Sequence, residues 1–185
     1  MFKGKNKFIG ERIYLRTLTE EDANVAYCGW LNDLKVNKFL ATKGVTMAEL
    51  KAYIKDKNSQ RDILFLGIFL KNYDKFIGTI KLGPIDLVLR KSNIATMLGD
   101  KNYWGQGLTL EAMNLLISYC FKDLKLKEVY LGVIKQNLAA KRVYEKAGFI
   151  PKVGIFDMSV NYDNKKYNQI TMSLTREAWL ANIKK

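Results

Sequence analysis

Apolar residues recur along the chain in two rhythms. At helical spacing, Leu108, Ala112, Leu115, Leu116, Tyr119 and Cys120 share one face, which predicts an amphipathic helix after Gly107. Another helix is predicted over 20–31: Thr19 offers a capping hydroxyl, and Glu20, Glu21 and Asp22 put negative charge at the positive end of the helix dipole. Thr46 with Glu49 forms a capping-box pattern that opens a further helix through Leu50, Tyr53 and Ile54. Asn137 and Gly148 bracket a compact helix, with asparagine as N-cap and glycine at C′.

Between these lie short runs rich in β-branched and aromatic residues. They are 13–16, 64–70, 76–82, 93–99, 128–134, 155–161 and 167–174. The polar segment 71–75 has hairpin length, Gly83-Pro84 is expected to end the strand before it, and 162–166 reads as a turn between the last two strands. The order is β-α-α-β-β-β-α-β-α-β-β, a mixed α/β chain with an antiparallel start. There is no repeat and no linker, so residues 1–185 are expected to form one domain.

Composition narrows the function. The longest apolar runs, such as 63–70, fall far short of the roughly 18 to 20 residues that span a bilayer, and the basic N-terminus has no apolar stretch behind it. A cytoplasmic protein without a membrane partner is expected. There is no histidine, which excludes a Ser-His-Asp or Cys-His nucleophile and any histidine-ligated zinc; no metal is expected. Cys28 and Cys120 stand far apart in apolar segments and read as buried structural thiols. Thirty-one basic against eighteen acidic side chains give a net charge of +13, so an anionic partner is expected. Nucleic acid, membrane headgroups or a nucleotide cofactor would all satisfy that charge.

Gly105 and Gly107 follow a strand and precede a helix. Backbone N–H groups are thereby exposed where the positive end of a helix dipole points, and no acidic side chain stands between Lys101 and Leu110. This is an anion cradle to which Thr109 can add a hydroxyl. It lacks the third glycine of a dinucleotide fold and the Gly-Lys-Ser/Thr ending of a nucleoside-triphosphate loop.

The stretch Asn102-Tyr103-Trp104-Gly105-Gln106-Gly107-Leu108-Thr109 resembles the acetyl-CoA pyrophosphate loop of the GNAT superfamily of N-acetyltransferases. Asn137-Leu138-Ala139-Ala140-Lys141-Arg142-Val143-Tyr144 resembles its second signature, and the likeness runs from Ile13 to about Leu174. Within that superfamily the chain resembles the branch of ribosomal-protein N-terminal and nucleotide-sugar amine acetyltransferases, and segments 30–40 and 77–86 are similar to members associated with surface-polysaccharide sugars. The resemblance implies a mainly antiparallel central sheet flanked by helices, with acetyl-CoA as acetyl donor. Asn102, Gly105, Gln106, Gly107, Leu108 and Thr109 would then meet the pyrophosphate. The strand with Met97 and Leu98 would offer backbone groups to the pantetheine arm, which enters a splay between that strand and 128–134.

The same resemblance places Tyr144 beside the cofactor sulfur, where its phenol could protonate the departing thiolate, and gives Asn137 a contact to pantetheine or substrate besides its capping role. A Leu98 N–H is the expected oxyanion donor. Ala140 stands where relatives often carry serine, and Ser92-Asn93 where many carry an acidic residue. Asp86 is the nearest carboxylate in sequence that could act as base, with a solvated loop carboxylate as the plain alternative; Asp100 reads as a turn residue. Direct transfer to a primary amine is expected, first to a nucleotide-linked amino sugar, then to a protein N-terminus, then to polyamines, which a protein of this charge should repel. A non-catalytic acyl-CoA-binding module and a nucleic-acid-associated protein are the other readings. Monomer and homodimer are both open.

Overall fold

The computed structural model describes residues 7–41, 43–152, 158–162 and 165–183. One sheet runs through it. Strands β1 (Lys7–Ile9), β2 (Ile13–Thr17), β3 (Leu64–Leu70), β4 (Lys75–Asp86) and β5 (Lys91–Leu98) follow one another antiparallel. β6 (Glu128–Ile134) then joins β5 in parallel, and β9 (Lys165–Thr175) lies antiparallel to β6. β7 (Ile150–Pro151) and β8 (Met158–Tyr162) pair with different stretches of β9. The helices are α1 (Val25–Asn32), α2 (Met47–Ser59), α3 (Leu108–Lys122), α4 (Leu138–Lys146) and α5 (Arg176–Asn182). This is the mixed α/β architecture expected from the sequence.

The sheet is covered on both faces, and β3 shows how. All of its residues are buried: Leu64, Leu66, Ile68 and Leu70 join the cluster that includes α3 and α4, while Phe65 and Phe69 join the one beneath α1 and α2. On α3, the face predicted from its spacing is buried except for Leu115, which is partly buried; removing a side chain such as Leu116 from water contributes about 2 kcal/mol. Cys120 lies within that face, and burial pushes its thiol up. Cys28 is half-buried and both thiols are free. Among the described residues no helix is long and apolar enough to cross a membrane.

Three expectations need correction. The helix over 20–31 is two elements, a 3-10 turn at Glu20–Asp22 and then α1. The Asp22 carboxylate accepts from the Thr19 N–H at 2.7 Å and from the Arg16 guanidinium at 2.6 and 2.7 Å, which closes the first turn on itself. Asn24, in an extended conformation, then caps α1 afresh by accepting from the Tyr27 N–H at 2.9 Å. Gly83-Pro84 does not end its strand. Proline has no N–H for the ladder, so the pair bulges out, the register shifts between Leu82 and Ile85, and β4 resumes to Asp86. Finally, β1, β7 and α5 were not anticipated, and part of the strand expected over 155–161 (155–157) lies outside the described residues.

Candidate active site

β5 and β6 run side by side for only three residue pairs, Lys91 with Glu128, Ser92 with Val129 and Asn93 with Tyr130. Beyond them the strands part. The gap opens into a cleft of about 630 Å³ that carries no carboxylate among the described residues. At the vertex the Asn93 side chain donates to the Tyr130 carbonyl at 3.3 Å.

Ladder alternation decides which backbone groups line the gap. The Gly99 N–H donates to the Ile77 carbonyl, so the amides of Met97 and Ala95 face β4 and those of Thr96 and Leu98 face β6. On the opposite lip, Lys135 donates to Asn168, which turns odd-numbered β6 residues toward β9 and leaves the N–H and carbonyl of Gly132 facing the cleft. Two half-strands thus present unpaired groups to each other, as a sheet would to a missing strand. Of the two strand residues expected to serve the arm, Leu98 is placed to do so through its N–H. Met97 is not, because its backbone is spent on Thr79; it lines the cleft only with the rest of its residue.

At one end of the cleft the glycine loop enters α3. Gly105 and Gly107 have φ of +76° and +78°, a left-handed conformation that glycine adopts without penalty. Gly107 is the N-cap and has no side chain, so the first N–H groups of α3 have no capping partner. The loop's carbonyls are tied elsewhere. The Trp104 indole donates to Leu98 at 2.7 Å, the Gln106 amide to Asn102 at 2.9 Å, and the Arg12 guanidinium to Gln106 at 2.9 Å. Glu111 fixes Arg12 in turn, accepting from its Nε at 3.0 Å and from the backbone N–H groups of Arg12 and Ile13 at 2.8 and 3.3 Å. Burial raises the Glu111 pKa, but these donors outweigh it and hold the carboxyl below its ordinary value. Gly105 and Thr109 line the cleft; Leu108 is buried in the core and has only its N–H to offer, while Asn102, Gln106 and Gly107 shape the loop from behind. The unpaired donors and absence of acidic groups suit a pyrophosphate.

At the other end, the Asn137 side chain accepts from the Ala140 N–H at 3.2 Å and caps α4. Asn137, Ala140 and Tyr144 all line the cleft, as their helical spacing predicts. Tyr144 is only 8 % exposed and its hydroxyl makes no hydrogen bond among the described residues; burial pushes its pKa up to about 12. The phenol is therefore a neutral donor throughout the physiological range. Asp86 sits apart from these groups. It ends β4, accepts from the Leu89 N–H at 2.7 Å in the following turn, and does not line the cleft. Asp100 is the turn residue expected: it caps the 3-10 turn before the loop and pairs with Lys75 at 2.8 Å. Arg12, Glu111 and Gly132 escaped the sequence reading, since their roles depend on partners far away in the chain.

The acetyltransferase (GNAT) domain pattern matches residues 12–150. YjcK of Bacillus subtilis, named a probable N-acetyltransferase, is 39% identical over 83 residues; the match spans 45% of this chain and 46% of that relative. Spermidine N(1)-acetyltransferase of Escherichia coli is 32% identical over 108 residues, 58% of this chain and 56% of its own length. In three dimensions the chain is similar to spermidine N-acetyltransferase from Vibrio cholerae, solved with CoA and spermine, with a TM-score of 0.80, 18% identity, and 91% and 98% of the two chains covered. The family match, the parted strands and the donor-rich loop agree: the chain belongs to the GNAT family and is an acetyl-CoA-dependent N-acetyltransferase.

Proposed function

We propose that the chain moves the acetyl group directly from acetyl-CoA to a primary amine while both are bound, with Tyr144 as the acid. The observation that carries this reading is the parting of β5 and β6 after Asn93 and Tyr130, with uncapped helix donors at one end and the Tyr144 phenol at the other. The N–H groups of Gly105, Leu108 and Thr109 receive the pyrophosphate. Thr96 and Gly132 pair with the pantetheine amides, and the Leu98 N–H polarises the thioester carbonyl. The amine nitrogen bonds to the carbonyl carbon, the carbon–sulfur bond breaks, and the Tyr144 proton passes to the sulfur. No carboxylate lines this cleft among the described residues, so the acceptor nitrogen gives its proton to water.

The acceptor comes from the face covered by α1 and α2, where a second cavity adjoins the first along Ala95, Thr96 and Met97. The names of the spermidine acetyltransferases suggest a polyamine, but Lys81 in this cavity would repel a polycation. A nucleotide-linked amino sugar brings two phosphates and a base, against one lysine. The test is thiol release from acetyl-CoA over a panel of amines. Release that requires an amine, and falls in Tyr144→Phe, supports direct transfer; a burst of acetyl-enzyme formed without any amine rules it out.

A further inference from the structure

The second cavity, about 480 Å³, has a composition that selects its occupant. Its floor is β3, β4 and β5, its walls α1 and α2, and it meets the acetyl-CoA cleft where the two share Leu40, Ala95, Thr96 and Met97. The rings of Tyr27, Tyr53 and Phe65 give it an apolar, aromatic lining. Tyr27 is buried and lines the cavity with its ring.

Among the described residues two charged side chains line the cavity, Glu49 and Lys81. The Glu49 carboxylate is committed to its own helix: it accepts from the Thr46 N–H and hydroxyl, both at 2.8 Å, in the capping box of α2. Lys81 has no hydrogen bond or ion pair among the described residues. It lies mid-strand between Phe65 on β3 and Ala95 on β5, and is partly buried. The charge acting on it is that of Lys57, which is also positive; burial and Lys57 together lower the pKa of its ammonium group. A cation withdrawn from water with no counter-ion is an unfavourable arrangement, which a ligand carrying the opposite charge would relieve.

We propose that this cavity binds an amine with an apolar or aromatic body and a single acidic group, a carboxylate or phosphate monoester, which pairs with Lys81 while the amine points across Thr96 and Met97 toward the thioester. The proposal rests on the acetyl-transfer reading above. Geometry sets the size: Lys81 is diagonal to Met97 across the β4–β5 ladder, a Cα separation of about 7–8 Å, so acid and amine belong to one small molecule. A polyamine would set a second ammonium beside Lys81 and Lys57.

The experiment uses matched pairs of acceptors, phenylalanine with phenethylamine and tryptophan with tryptamine, alongside O-phosphoethanolamine and spermidine, on the full chain and on Lys81→Met and Lys81→Arg. For the full chain, kcat/KM should favour each acid over its decarboxylated partner by about tenfold or more, the value of one charge-assisted contact. Lys81→Met should erase that preference through KM for the acid rather than through kcat, and Lys81→Arg should retain part of it. Without ligand, Lys81→Met should melt no lower than the parent protein, since it removes an uncompensated cation. Preference for the amines without an acidic group or for spermidine, or a Lys81→Met loss in kcat alike for every amine, overturns the proposal. A second readout separates it from the transfer reading: 3-phenylpropanoate and phenyl phosphate, which have no amine, should raise the Tm of the CoA-saturated protein but not of Lys81→Met, and their relative effect tells carboxylate from phosphate. If no amine releases thiol although acetyl-CoA binds, the transfer reading falls; the Tm shift then stands alone, its dependence on Lys81 supporting the anion site and its absence refuting it.

Discussion

The donor cleft and the cavity proposed for the acceptor lie on either side of the same strand and are built by different means. The cleft is made of backbone: unpaired amides of β5 and β6 and the uncapped start of α3, shaped by a glycine loop in which the Asn102 and Gln106 carbonyls are held by side-chain donors. The cavity is made of side chains drawn from α1, α2, β3, β4 and β5. Backbone recognition is indifferent to most substitutions, so it preserves one cofactor while sequences drift. Side-chain recognition changes with each substitution, which lets related chains keep the donor and exchange the acceptor.

The contrast can be broken most strongly at Tyr144, the side chain proposed above as the acid for the departing thiolate. Tyr144→Phe should lower kcat on the order of 100-fold with acetyl-CoA affinity nearly intact, measured by steady-state kinetics and calorimetry. Because burial holds this phenol at about 12, kcat of the parent protein should show no descending limb near pH 10, where an exposed tyrosine ionises. Next comes Glu111→Gln, which loosens Arg12 and the loop carbonyl it holds. It should cost about 1–2 kcal/mol of stability and weaken acetyl-CoA for every amine equally. The Glu111 pKa is depressed, so its contribution is fully present above the ordinary carboxylate value and lost as pH falls through the lowered one. Glu111→Gln should therefore flatten part of the acid limb of a Tm-against-pH curve.

Gly105→Ala is a gentler probe of the same side. A Cβ there meets nothing within 4 Å, so only the left-handed backbone is penalised, by about 1 kcal/mol, seen as a several-fold rise in KM for acetyl-CoA. On the other side, Tyr53→Ala, at a residue 37% exposed, should have the smallest effect on rate overall and instead reorder the amine panel with KM for acetyl-CoA unchanged. If Tyr53→Ala changed acetyl-CoA binding, or Gly105→Ala changed amine preference, the division of labour would be wrong.

The same division explains what could be read from the chain. Capping residues Thr46, Glu49 and Asn137, the face of α3 and the glycine loop are local patterns, and local patterns survive translation into structure. The break before α1 was hidden because Thr19 to Asp22 looks like a helix start, and only the distant view of Arg16 gripping Asp22 reveals a closed turn. Gly83-Pro84 reads as a terminator; that β4 bulges and continues depends on its neighbours on both sides. Arg12 and Glu111 stand 99 residues apart and carry no mutual signal. Lys81 reads as an ordinary polar strand residue, and its isolation appears only when α2 is laid over the sheet. The donor was legible in sequence because it is local, and the acceptor was not because it is assembled.

The parting of β5 from β6 also has a mechanical side. The ladder between the half of the sheet that carries the glycine loop and the half that carries α4 is three residue pairs long, reinforced at its closed end by the Lys127 and Glu128 N–H groups, which donate to the Arg90 carbonyl. Such a seam resists shear poorly, so the two halves should breathe against each other until something spans them. An extended ligand bonded to Thr96 and Leu98 on one lip and Gly132 on the other would stiffen the joint as an added strand does. Amide exchange at those three positions should then slow on acetyl-CoA binding, and the slowing should spread into β9 behind Gly132.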